Sequence, residues 1–175
     1  DDYTHLTLDR RGFMERLSQL AGSAAAAATI ASLIGANRAA ATIIAEDDAR
    51  VAAGEASWTG AAGPMKGYLA QPSGPAGRLP AVMVIHENRG LNAHIRDVAR
   101  RIALEGFLAL APDFLSPLGG TPEDEDKARE MIGQLTAKGT AADAVAAIAF
   151  LKGHAASTGA VGAVGFCWGG GQIGA

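Results

Sequence analysis

Cysteine is almost missing from this chain. Cys167 is the only one in 175 residues, which excludes an internal disulfide and any multi-thiolate metal site. The four histidines, His5, His86, His94 and His154, sit at no ligand spacing. No metal and no cofactor is therefore expected. Neither sign of charge dominates. Fifteen Lys and Arg face 18 Asp and Glu, a net charge of −3, which leaves no electrostatic footprint for nucleic acid. A long greasy run is also lacking, so no stable membrane span is expected. What remains, 49% hydrophobic and 19% charged residues, is the make-up of a globular protein. Oligomeric state is not legible from it.

The first 45 residues read differently from the rest. Arg10-Arg11 precedes Phe13-Met14 and then a weakly apolar, Ala- and Gly-rich stretch from Leu20 to Ile34. That stretch is too short and too poor in bulky residues for a span of ~20 apolar residues. Small residues at Ala39-Ala40-Ala41 and at Ala45 offer cleavage sites. Basic flank, short apolar region and small-residue exit make up an export signal, and the Arg-Arg-x-Phe-Met order resembles the twin-arginine type. Residues 1–45 are read as this segment. The protein is then expected in the periplasm or outside the cell if the signal is used, and in the cytoplasm otherwise. The alternative is an Ala-rich helix that stays with the domain.

From residue 46 onward the pattern is α/β. Residues 55–59 and 65–70 are short strands around a Gly- and Pro-rich turn, which suits a hairpin. Leu79 to Ile85 is a continuous apolar run, as in a strand covered on both faces. Ile95, Val98, Ala99 and Ile102 then recur at helical spacing, with Arg96, Asp97, Arg100 and Arg101 on the other positions. Phe107 to Ala111 is the next strand, and Pro112-Asp113 closes it. Thr121-Pro122-Glu123-Asp124 predicts a helix start, with Thr as cap and Pro at the first helical position. Thr140 to Asp143 predicts a second helix start before Lys152. Residues 160–166 return to a strand. This alternation predicts an α/β fold with a doubly wound, mostly parallel sheet.

Two motifs carry chemistry. Gly165-Phe166-Cys167-Trp168-Gly169 follows a strand and opens a helix, the context of G-x-S-x-G with cysteine in place of serine. Glycines two positions away on either side relieve a sharp bend that would crowd larger residues. A thiol there meets backbone N–H groups at a helix start, which favour negative charge. The bland alternative is a cysteine packed as a small hydrophobe. The second motif, His86-Glu87-Asn88-Arg89-Gly90, follows the first buried strand, where ligands of open α/β sheets collect. The fold type places one oxyanion N–H in this loop and one just after the nucleophile, here Asn88 and Trp168. His86, Arg89 and Asp113 are read as lining the site, with loop polarity and local salt bridging as the competing role.

VMVIHENRGLNAHIRDVARRIALEGFLALAPDFLSP followed by VGAVGFCWGGG is similar to the dienelactone hydrolases, or carboxymethylenebutenolidases, of the α/β-hydrolase superfamily, in a bacterial branch with an export-like leader. The likeness covers residues 50–175. It implies hydrolysis of a small ester, lactone or thioester by a cysteine nucleophile, with Cys167 in that role and Glu87 as the carboxylate that helps activate it. It also implies that residues 46–175 are the N-terminal portion of such a domain, cut off after the nucleophile bend and before the family's catalytic Asp and His. One departure bears on the substrate. Family members that take dienelactone carry an arginine after the Pro-Asp, whereas this chain reads Phe114-Leu115-Ser116-Pro117. Two rival readings stand beside the hydrolase: a non-catalytic binding or scaffold protein on a degraded hydrolase fold, and an oxidation-sensing thiol.

Overall fold

A computed structural model describes residues 43–74 and 77–173. The export-signal reading, apart from residues 43–45, lies outside the described residues. Five strands make one sheet: β1 (Val51–Thr59), β2 (Pro64–Pro72), β3 (Leu79–Ile85), β4 (Leu108–Asp113) and β5 (Ser157–Gly165). Helices α1 (Ala93–Leu104), α2 (Glu125–Ile132), α3 (Ala137–Gly153) and α4 (Trp168–Gln172) accompany it, with a 3₁₀ turn at Ser116–Leu118.

The strand order is β1-β2-β4-β3-β5. β1 pairs with β2 and β2 with β4 antiparallel, while β3 pairs with both β4 and β5 in parallel. The expectation of a mostly parallel, doubly wound sheet is therefore corrected to a mixed sheet. An apolar run reports burial on two faces but not the direction of its neighbours. The neighbour that decides is β2, and Gly67 lets it in. A Cβ at residue 67 would lie 2.7 Å from the Ala111 carbonyl oxygen on β4. Nor is the fold cut short at the bend after β5, as expected, because α4 follows directly.

Each face of the sheet has its own core. On one, Tyr68, Ala70, Val82 and Val84 meet Ile95, Val98, Ala99 and Ile102 of α1. On the other, Met65, Met83, Leu108 and Leu110 meet Ala147 and Leu151 of α3. Asp97, Arg100 and Arg101, on the polar positions of α1, are all buried. The chain at Ile43 and Ile44 lies across them, with both amides bonded to Asp97.

Two helix starts differ from the sequence reading. Asp124, not Thr121, caps α2, accepting from the amides of Asp126 and Lys127. Thr136, not Thr140, caps α3 through the Gly139 amide. Competing bonds explain both. Thr121 is tied to Asp113 at 2.8 Å, and Asp143 is buried inside α3, accepting from the Ala61 amide at 2.8 Å.

Leu110 lies in a strand paired on both sides and has no exposed surface. Leu110→Ala is expected to lower unfolding stability by about 2–5 kcal/mol, measured as a fall in urea midpoint at unchanged m-value.

Candidate functional site

β3, β4 and β5 run parallel, so Ile85, Asp113 and Gly165 end on one edge of the sheet. The segments that leave these ends form the site. His86 is the joint between them. Its ring is fully buried. The ring Nδ1 lies 2.7 Å from the Glu87 carbonyl oxygen, and the Phe114 amide donates to Nε2 at 3.2 Å. A carbonyl needs a donor and an amide needs an acceptor, so the proton sits on Nδ1 and the ring is neutral. Burial pushes the His86 pKa below the usual 6.5, against opposing pulls from the Glu87 carbonyl and the Asp113 carboxylate. The ring stacks on Trp168 at 5.3 Å between centroids, and Phe114 meets both rings edge-on.

Cys167 sits on the bend between β5 and α4 with φ 52° and ψ −112°. Among the described residues it is the one non-glycine with positive φ, a strained position for an L-residue. Gly169 holds the bend against β3. A Cβ there would lie 2.6 Å from the carbonyl oxygens of both Ile85 and His86. Trp168 directly precedes Gly169, and Asn88 lies two residues beyond His86.

The surroundings of Cys167 correct the expected chemistry. Its thiol is exposed. Both ring nitrogens of His86 are engaged. The His94 ring lies edge-on to Phe166, and His154 accepts from the Ala156 amide. Asp113 holds the Leu115 amide and both the amide and hydroxyl of Thr121. An exposed thiol beside an imidazole whose two nitrogens are both engaged is not the activated cysteine of a hydrolase. The reading of this chain as a carboxylic ester hydrolase working through a cysteine nucleophile is therefore corrected. Among the described residues, no three His, Cys, Asp or Glu side chains converge to hold a metal ion either.

The remaining expected site residues have definite places. Glu87 and Asn88 are half-buried in the turn after β3. Arg89 is exposed and pairs with Glu125 of α2. Asp113 is buried and organises the loop after β4. Thr121 escaped the sequence reading. Its hydroxyl donates to Asp113 and accepts from the Leu91 amide at 2.8 Å, tying the β4 loop to the β3 loop. Its only sequence signal, a Thr before Pro, points equally to a helix cap. A cavity of about 440 Å³ opens between Leu118–Pro122 and the Lys127, Met131 and Gln134 side of α2. Cys167 is not on its wall.

The model of the dienelactone hydrolase family matches residues 65–173. The chain is similar to a protein of Escherichia coli (strain K12) provisionally named a carboxymethylenebutenolidase, 34% identical over 87% of this chain and 54% of that one. A provisionally named hydrolase fragment of the same organism is 55% identical over 42% of this chain and 62% of its own length. Among solved structures, a dienelactone hydrolase-like promiscuous phosphotriesterase from metagenomic libraries superposes with a TM-score of 0.62 at 30% identity. It covers 70% of this chain and 52% of its own. The chain thus spans about half the length of most relatives it matches.

The neutral, buried His86 has a consequence for stability. The unfolded chain protonates this ring near pH 6.5, the folded chain only at lower pH, so unfolding takes up a proton in between. Stability is expected to be full above about pH 6.5 and to fall as the pH drops toward the folded value. Urea melts across this range should show that slope in the unaltered chain and a flatter one in His86→Gln. Equal slopes would mean that the ring does not titrate differently on folding.

Proposed function

Since this chain belongs to the dienelactone hydrolase family, we propose that it is a non-catalytic member that binds a small ester or lactone and does not turn it over. The observation that carries this is the exposed Cys167 thiol on a strained bend, beside a His86 ring whose two nitrogens are both engaged. Attack on an acyl carbonyl needs a proton acceptor at the thiol and a donor for the leaving group. His86, the histidine joined to this bend through Trp168, serves as a neutral strut instead.

The ligand-holding half of the site is a different matter. Asn88 and Trp168 belong to the two segments that meet at the Gly169 contact. Two N–H groups there suit the oxygen of a carbonyl. A neutral ester or lactone is the ligand class, because the one basic side chain of the loop, Arg89, is taken up by Glu125. On this reading the described loops hold the carbonyl, and His86 supplies no proton transfer to cleave it.

Titration of the purified chain with a γ-lactone is expected to shift the backbone amide resonances of Asn88 and Trp168. p-Nitrophenyl acetate should be hydrolysed no faster than in buffer, and Cys167→Ala should leave the lactone titration unchanged. Hydrolysis that disappears in Cys167→Ala would overturn the non-catalytic reading. Absence of any shift at the two amides would overturn the binding one.

A further inference from the structure

The cavity beside α2 has a wall of two kinds. Leu118, Pro122 and Met131 supply its apolar part, and Lys127 and Gln134 its polar part. The loop side of the rim is fixed by its own backbone. The Gly119 amide donates to the Ser116 carbonyl at 3.1 Å, and the Gly120 amide to the Leu115 carbonyl at 2.9 Å. Both glycines are left-handed, at φ 103° and 98°, a conformation that strains residues with a Cβ. Asp113 then accepts from the Thr121 amide at 2.8 Å. The helix side is anchored through Ala128 and Ile132, which are buried in one cluster with Leu115. About 440 Å³ is thus left open between two fixed walls, a space of the size that takes a small organic molecule.

Charge decides which kind of molecule fits. The acids at the start of α2 have other tasks. Asp124 caps the helix, Glu125 pairs with Arg89 and Asp126 with Arg129. None of them lies on the cavity wall, and neither do Glu123 and Glu130. Lys127 is the one charged residue on that wall, and among the described residues no salt bridge engages its ammonium. The rim amides of Gly119, Gly120 and Thr121 are consumed within their own loop. Donors for a ligand therefore come from the Lys127 ammonium and the Gln134 carboxamide. Leu118, 40% exposed, adds a large apolar side chain. We infer that this cavity binds a small monocarboxylate with an apolar body. The carboxylate lies on Lys127 and Gln134, as a charge-assisted pair, and the hydrocarbon lies against Leu118, Pro122 and Met131. A second carboxylate would meet no second cation on the wall. Cys167 is not part of it, so the inference is independent of the ligand reading above.

Titration of the isotope-labelled full chain with benzoate provides the test. The amide resonances of Gly119, Gly120 and Lys127 are expected to move to saturation, while that of Trp168 stays in place. Benzyl alcohol keeps the ring and lacks the charge, and should bind about fivefold more weakly. Lys127→Gln, at an exposed position, should cost benzoate about the same factor and leave benzyl alcohol unchanged. Leu118→Ala should weaken both probes, because both place their ring against that side chain. Benzoate that moves no rim resonance to saturation, or that moves Trp168 instead, overturns the site. Equal affinity for the two probes, or undiminished benzoate binding in Lys127→Gln, overturns the carboxylate assignment.

Discussion

The contact between Gly169 and the end of β3 governs the arrangement of the whole site. Only hydrogen can occupy the side-chain position there, because the carbonyl oxygens of Ile85 and His86 would stand 2.6 Å from a Cβ. That approach brings the Cys167 bend down onto the sheet and lays the Trp168 ring against the imidazole of His86. His86 in turn reaches the third strand end through the Phe114 amide. Three segments far apart in the chain are thus fixed to one another by a glycine and one buried neutral ring. Such a joint requires the imidazole to stay uncharged, which is incompatible with shuttling protons for the thiol nearby.

A second polar relay, Asp113 to Thr121 to Leu91, completes the frame from the other side. Here too a group that looks reactive in the sequence is engaged in construction. The Asp113 carboxylate accepts three hydrogen bonds, from Leu115 and from the amide and hydroxyl of Thr121. The frame of a hydrolase is therefore present in its loops and bend, while the described side chains around Cys167 perform structural work. Frame and chemistry are separable because backbone amides and glycines build the first, and only correctly placed titratable groups supply the second.

Much of the fold was legible because its signals are local. The apolar run Leu79–Ile85 and the helical spacing of Ile95, Val98, Ala99 and Ile102 depend on burial alone, and both elements formed where the pattern put them. The helix starts were less legible. Thr121 and Thr140 each offer a hydroxyl suited to a cap, but a cap competes with every other acceptor within reach. Asp113 claimed the first, and the buried position of Asp143 within α3 moved the second start back to Thr136. The charges of α1 were legible only in their spacing. That Asp97, Arg100 and Arg101 are buried depends on a segment 53 residues away in sequence from Asp97 lying down on them.

By itself the sequence determined the family, the αβ alternation and the bend at Cys167, since glycine placement and hydrophobic period act over a few residues. Tertiary structure alone decided that the sheet is mixed, that His86 is a neutral strut, that Thr121 bridges two loops and that the thiol is exposed. Each of those depends on which distant groups come within about 3 Å of one another, the reach of a hydrogen bond. No pattern along the chain encodes that proximity. It arises when Gly67 and Gly169 allow backbones to touch.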